Sequence, residues 1–326
     1  MVHIPALHTV FRKEELFNII AKLYDIGTPI SSRFVLNGLN DTYIVETDRE
    51  SFVLRIYKHQ WRSESDILYE LDFLVHLHRR NIPVSIPIPR LDGAWLTELE
   101  APEGLRYAVL FTFAQGKTKV DTDTSRMYGR SIALLHRAAD EYVPLHSRFL
   151  LDTKHLLDEP VQHTLPFLRH RPDDYAFVQE VSSRLKGYLD AFPEDTLDWG
   201  ACHGDLHGWN VHYTDAETLT HFDLDCCGKG WRSYDLSVFL WCRVESRTKQ
   251  EEFKDECWDA FLDAYVKERP LKESDLEAIP IFVAVRQIWL MGLHTGNSAI
   301  WGAWQDDSYF DRKLKFLDAW VKAYKL

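Results

Sequence analysis

The sequence predicts an α+β protein in which a small antiparallel-sheet unit precedes a larger, mostly helical one. Three observations carry this. β-branched and aromatic residues cluster between polar turns in the first third; the pattern breaks at Gln115-Gly116; helical periodicity dominates afterwards.

Taken in order, strands are expected at Phe34 to Leu36, Tyr43 to Glu46 and Ser51 to Tyr57. Ser63-Glu-Ser-Asp66 resembles a capping box and opens an amphipathic run at helical spacing, Ile67, Leu71, Leu74 and Leu77 or His78. The first third therefore reads as strands around one helix. Ile82-Pro-Val-Ser-Ile-Pro-Ile-Pro89 cannot be helical, because proline lacks the N–H and clashes with the preceding turn, so it should cross the surface to the next strand. That apolar strand is Tyr107 to Phe113. Helices are expected at Ser125 to Ala139, Tyr175 to Ala191, Tyr234 to Val244, Gln250 to Lys267 and Ile281 to Leu293, with one hairpin between about 211 and 223. The boundary implied is residues 1–114 and 115–326.

With 326 residues, 45% hydrophobic and 27% charged, the chain has enough apolar material for one large or two modest cores. No basic segment leading into an apolar stretch occurs in residues 1–9, so no secretory signal is expected. The longest apolar stretch, Ile279 to Leu293, is interrupted by Pro280, Arg286 and Gln287 and falls short of the roughly 20 residues of a membrane span, which predicts a buried helix and no membrane partner. Five cysteines without C-x-x-C spacing argue against a disulfide framework or structural zinc and point to a reducing, cytoplasmic setting. A net charge of −12 without a Lys/Arg-rich run argues against nucleic acid.

The chemistry concentrates at His203-Gly-Asp205-Leu-His207-Gly-Trp-Asn210. A strand Val211 to Tyr213, a turn at 214–217 and a second strand ending in Asp223 follow. If the hairpin is centred between Ala216 and Glu217, paired positions sum to 433, and Asn210 should face Asp223. An amide oxygen and a carboxylate converging there are hard donors suited to Mg²⁺ bridging nucleotide phosphates. Asp205 beside them is placed to accept the proton of an attacking hydroxyl. The same base-to-Asn spacing marks the catalytic loop of protein kinases.

Cys202-His-Gly-Asp-Leu-His-Gly-Trp-Asn-Val211 together with His221-Phe-Asp-Leu-Asp-Cys-Cys-Gly228 resembles the aminoglycoside phosphotransferase and choline kinase family, which includes homoserine kinases, methylthioribose kinases and the stress-response kinase A group. The resemblance spans nearly the whole chain. It implies a bilobal, protein-kinase-like fold, with residues 1–114 as a nucleotide-binding lobe and 115–326 as a helical catalytic and substrate-binding lobe. It implies ATP and Mg²⁺ as cofactors, Asp205 as catalytic base, and Asn210 and Asp223 as metal ligands. Asp225, the second acid of the Asp-x-Asp pair, stands near metal or substrate in relatives and is taken as substrate-binding. Tyr234-Asp-Leu-Ser237 resembles the helix that braces the catalytic loop, making Asp235 structural, and Gly129 to His136 resembles the family's helix ending in Leu-His. Phe111-Thr-Phe113-Ala114 falls where the hinge presents backbone groups to adenine.

Kinase-like folds use a strand cation on the α and β phosphates and a helix Glu to orient it. In Phe52-Val-Leu-Arg-Ile-Tyr57, Arg55 stands where most relatives carry Lys; it keeps the charge but presents a planar fork. Glu70, on the helical stripe of Ile67, Leu74 and Leu77, is its candidate partner; Glu64 is the rival acid, and snorkelling to water is the alternative use of Glu70. The loop Asn37 to Asp41 occupies the place of a phosphate-covering loop.

Two other classes compete. His203 and His207, four apart with Asp205 between, suggest a transition-metal hydrolase, but the Glu of H-E-x-x-H is missing and Gly208 disfavours the required helix. His203 is accordingly a loop brace and His207 a loop side chain near substrate. A non-catalytic nucleotide-binding scaffold is motivated by Arg55 and opposed by the retained Asp205 and Asp223. Among active kinases the expected acceptor is a small-molecule hydroxyl on an aminoglycoside, amino alcohol or homoserine-like compound, the alternative being protein Ser/Thr. Arg286, Trp289, His294 and Asn297 are acceptor-pocket candidates that serve equally well as core and cap groups.

Overall fold

The computed structural model describes residues 4–214 and 218–326. The chain divides into two compact units, one built on residues up to Gln115 with the segments Pro144–Arg148 and Ala299–Gly302, the other holding the remainder. It is of mixed α+β class, with an antiparallel sheet in the N-terminal part and helices dominating the C-terminal part.

In the first unit, helix α1 (Lys13–Leu23) precedes strands β1 (Pro29–Asn37), β2 (Asn40–Thr47) and β3 (Ser51–Tyr57). Helix α2 (Glu64–Arg79), β4 (Thr97–Ala101) and β5 (Gly104–Thr112) complete it. The strands pair antiparallel in the order β1-β2-β3-β5-β4. Strand alternation sends the side chains of β3 to opposite faces. Leu54 and Ile56 join Leu16 and Ile20 of α1, Tyr43 and Leu110 in an apolar core, while Arg55 and Tyr57 reach Glu70 of α2.

α1 adds a second helix to a region that reads from sequence as strands around one. Its N-cap, Arg12, makes no side-chain cap bond, so the sequence carries no start signal there, and its stability comes from burying Leu16 and Ile20. By contrast α2 begins at the expected capping box: Ser63 accepts from the Asp66 N–H, and Asp66 accepts from the Ser63 N–H. The Pro-rich stretch runs beside β5, with the Ile88 N–H donating to Leu110 O at 2.8 Å and the Thr112 N–H to Ile86 O at 2.9 Å.

The second unit begins with α3 (Thr122–Ala139), β6 (Leu150–Leu151), α4 (Glu159–Leu168), α5 (Pro172–Asp190) and β7 (Trp199–Cys202). A hairpin of β8 (Val211–Tyr213) and β9 (Leu219–His221) follows, then β10 (Gly228–Trp231) and α6 (Arg232–Val244). After α7 (Glu256–Glu268) come α8 (Glu273–Gly296), the single turn α9 (Ser298–Trp301), whose last residues group with the first unit, and α10 (Asp307–Tyr324). α3 packs on α7, and α8 is surrounded by α4, α5, α6 and α10.

α8 is longer than the stretch Ile279 to Leu293 suggests. At 24 residues it has the length and apolarity to cross a bilayer, yet most of it is buried inside this unit, including Arg286 and Gln287. α7 starts six residues later than expected at Gln250, because Asp255 caps it by accepting the Trp258 N–H at 3.0 Å. At Gln115-Gly116 the chain crosses to the hairpin: Gly116 has φ +101°, and a Cβ there would lie 2.2 Å from Tyr213 O, so only glycine fits.

Burial lowers the pKa of His136 to about 4 and of His294 to about 3, the latter helped by Lys313 and Arg286. Both rings are therefore neutral when folded, and between pH 6.5 and about 4 the unfolded chain binds more protons than the native one. Stability should fall as pH drops through that window. Thermal melts from pH 7 to 4 check this, and His136→Gln should flatten the slope.

Candidate active site

Three short strands present the loop between β7 and β8. β10 pairs antiparallel with β7, Gly228 opposite Cys202, and parallel with β6. Because α6 starts directly after β10, its first turns lie under the segment leaving β7. There Asp235, fully buried, accepts the His203 N–H at 2.7 Å and the Gly204 N–H at 2.8 Å. It also bonds His136 Nε2 of α3 at 3.0 Å, while His136 Nδ1 meets Tyr265 Oη at 2.8 Å. Burial opposes charge on Asp235, but His136 and the loop amides lower its pKa. Gly204 has φ +81°, and a Cβ there would sit 2.0 Å from Cys226 O. The loop is thus held through its backbone, leaving the next side chain to project.

That side chain is Asp205, 18% exposed. Its Oδ2 lies 3.2 Å from His207 Nε2 and accepts from Asn210 Nδ2 at 3.2 Å; the same Nδ2 donates to Asp205 O at 3.0 Å. Its Oδ1 is paired with Arg286 of α8. Burial would raise the carboxyl pKa, but His207 and Arg286 hold it well below the usual carboxylate range. In turn, burial disfavours the His207 imidazolium, but Asp205 raises its pKa. His203, buried, has its pKa lowered by desolvation; its Nδ1 accepts the Asp205 N–H at 3.3 Å.

The hairpin differs from expectation by one residue. Val211 pairs with His221 and Tyr213 with Leu219, so partners sum to 432. The Thr214 N–H donates to Thr218 O at 2.9 Å, which leaves an odd number of residues in the connection, and a connection of odd length moves every pair by one. Of the turn expected at 214–217, all but Thr214 lies outside the described residues. Asn210 therefore faces Phe222, whose N–H donates to Asn210 O at 3.0 Å, and not Asp223. Asp223 follows with φ +62°, a left-handed bend at the end of the ladder. It lies near enough to act electrostatically on both His203 and His207. Asp225, two residues on, is buried.

Among the acceptor-side candidates, Arg286 donates from Nη1 to Gly204 O and Tyr234 Oη, each at 3.3 Å, and lies 4.3 Å from the Trp289 ring and 5.4 Å from that of Trp241. Trp289 Nε1 meets His155 Nε2 at 3.4 Å. His294 Nδ1 meets Tyr309 Oη at 2.8 Å and packs on Trp304. Asn297 ends α8 and donates to Leu293 O, which makes it a cap group.

In the first unit, Arg55 Nη1 donates to Glu70 Oε1 at 2.7 Å, Tyr57 Oη donates to Glu70 Oε2 at 2.9 Å, and the guanidinium lies 4.9 Å from the Phe111 ring. Glu70 is thus turned inward and bonded, and Glu64 begins the helix. Phe111 is buried and Phe113 half-buried. A charged cluster absent from the sequence reading lies just past the same, C-terminal end of β3. Lys58 Nζ, buried, meets Asp41 Oδ1 at 2.6 Å and Asn37 Oδ1 at 2.8 Å, while Arg106 Nη2 reaches Asp41 Oδ2 at 2.7 Å. The signal available for it was a charge at each strand margin, Asp41 near the start of β2 and Lys58 just after β3. The cluster ties both ends of the two-residue turn Gly38-Leu39 to β3 and β5.

Among the described residues no group of three or more His, Cys, Asp or Glu could hold a metal ion. That is unfavourable to a zinc-type site at His203 and His207, each of which has one ring nitrogen engaged with Asp205. It is compatible with Mg²⁺, which takes few protein ligands and keeps water. Asn210 fits such a role chemically, since its amide nitrogen is committed to Asp205 and the amide oxygen is the hard donor that remains.

Residues 33–271 match the model of the phosphotransferase enzyme family. An uncharacterized protein of Deinococcus radiodurans is 39% identical over 98% of this chain and 93% of its own. A homoserine kinase of Allorhizobium ampelinum is 28% identical over 85% of this chain and 83% of its own. Among solved structures, an amicoumacin kinase in complex with AMP-PNP, Ca²⁺ and Ami superposes with a TM-score of 0.78 at 21% identity, covering 97% of this chain and 94% of the other. The shared fold is kinase-like.

Replacing Asp235 should remove the acceptor of three buried donors. Asp235→Ala is expected to lower unfolding free energy by about 3 kcal/mol or more, measured by urea denaturation against Asp235→Asn.

Proposed function

The chain belongs to the phosphotransferase enzyme family and is a kinase with an alcohol group as acceptor; from that premise we propose that it moves the γ-phosphoryl group of ATP to a hydroxyl of a small molecule, an aminoglycoside, amino alcohol or homoserine-like compound. The observation that carries this is the arrangement around Asp205: an ionised carboxylate, partly open to solvent, on a loop fixed from below and bonded to the asparagine five residues on.

In this reading Asp205 orients the acceptor hydroxyl and takes its proton as the oxygen bonds to the γ-phosphorus and the bond to the bridging oxygen breaks, ADP leaving with the electron pair. Asn210 and Asp223 would hold Mg²⁺, which when bound neutralises charge on the phosphate oxygens. Asp225, His207 and Arg286 are read as the acceptor side. Arg55, oriented by Glu70, is read as the cation for the α and β phosphates, and Phe111 and Phe113 as the adenine segment. Arginine is adequate there because the Glu70 carboxylate fixes its fork while the charge remains constant. The lobes at 1–114 and 115–326 carry these two tasks.

Purified protein incubated with γ-labelled ATP, Mg²⁺ and a cell extract should place label in the small-molecule fraction; label confined to protein would sink this reading. Asp205→Ala should lower kcat on the order of 10³-fold while leaving ATP binding intact, as read by calorimetry. Arg55→Ala should raise the KM for ATP about tenfold or more.

A further inference from the structure

Arg286 reaches the loop from α8, 81 residues beyond Asp205. The residue is 2% exposed. Nη1 donates to Gly204 O and Tyr234 Oη, Nη2 is paired with Asp205 Oδ1, and Trp289 and Trp241 present rings to the guanidinium. Nε is buried and has no partner among the described residues. A buried guanidinium N–H without an acceptor is costly. The Nε and Nη2 hydrogens form the edge on which arginine grips a carboxylate through two parallel bonds. Here one donor of that edge is shared with Asp205 and the other is unmet.

We propose that this edge receives a carboxylate of the acceptor, so that the molecule phosphorylated is a hydroxy acid or hydroxy amino acid; this rests on the reading of Asp205 as the base. One carboxylate oxygen takes the Nε hydrogen and the other competes for Nη2. Asp205 Oδ1 is thereby left to accept the hydroxyl proton as the hydroxyl oxygen bonds to the γ-phosphorus and ADP departs with the bridging oxygen. Hydroxyl and carboxylate bind neighbouring atoms of one ion pair, so they belong to a short acceptor with few carbons between them. A simple amino alcohol has no group to satisfy Nε and leaves Arg286 on Asp205.

Three matched pairs differing only in the α-carboxylate test this: L-homoserine with propanolamine, L-serine with ethanolamine, and L-threonine with isopropanolamine, each with ATP and Mg²⁺, followed by ADP release. The carboxylated member of at least one pair should lead in kcat/KM by on the order of 100-fold, mainly through KM. Arg286→Lys and Arg286→Gln should collapse the kcat/KM ratio between the two members towards one, beyond any loss common to both, with the KM for ATP unchanged and folding checked by circular dichroism. The wild-type comparison stands without either variant. Equal or faster turnover of the decarboxylated members overturns the inference and leaves phosphotransfer standing. An equal loss for both members in Arg286→Lys, or a rise in the KM for ATP, assigns the arginine to the loop or the phosphoryl group and also overturns it. Turnover of no member, with ATP bound, counts against the amino-alcohol and homoserine-like acceptors and against this inference together.

Discussion

The buried carboxylate of Asp235 is the constraint on which the candidate site depends. It collects two consecutive backbone N–H groups, from His203 and Gly204, and the ring of His136. A charged acceptor bonded to three donors in a water-poor interior is far stronger than the same bonds in solvent, and leaving any of them unmet is costly. Two adjacent amides pointing to one carboxylate require the chain to bend, and the bend is made at Gly204, where Cys226 O leaves no room for a Cβ. The position of Asp205 follows from that bend. Three elements far apart in the chain, α3, β7 and α6, are thereby locked to one anchor.

Above this anchor the local electrostatics run opposite to the whole molecule. The chain carries a net charge of −12, yet Asp205 is flanked by Arg286 and His207. Net charge describes solubility and long-range attraction; it does not describe a half-buried site where partners lie within hydrogen-bond distance and water screens poorly. The first unit shows the same separation. Arg55 with Glu70, and Lys58 and Arg106 with Asp41, are buried ion pairs that hold strand ends and a turn in one geometry. Such pairs add little net stability because desolvation offsets attraction, but breaking one leaves a stranded charge.

Much of the fold was legible because its signals are local. The capping box at Ser63 and the strand Ser51 to Tyr57 rest on neighbouring residues. α1 was not legible because it lacks a cap and is stabilised by a sheet formed later in the chain. α10 was overlooked although Asp306 caps it by accepting the Tyr309 N–H, so the signal was present there. The one-residue difference in the β8-β9 register arose from the parity of the connection, which side-chain chemistry does not encode.

By itself the sequence placed Asn210 at the open end of a hairpin that leads to Asp223, since a short connection brings two adjacent strands together wherever they fold. It also put Arg55 on a strand face and Glu70 on a helical stripe, through alternation and periodicity, while leaving Glu64 as a rival that the structure removed. Only the tertiary structure decided what surrounds Asp205. Arg286 is 81 positions away on another helix, and its ion pair exists because α8 packs against α6. The hydrogen bonds that Asp235 accepts likewise depend on β10 pairing with β7. Contacts of this kind come from packing between elements, and no pattern within a single element records them.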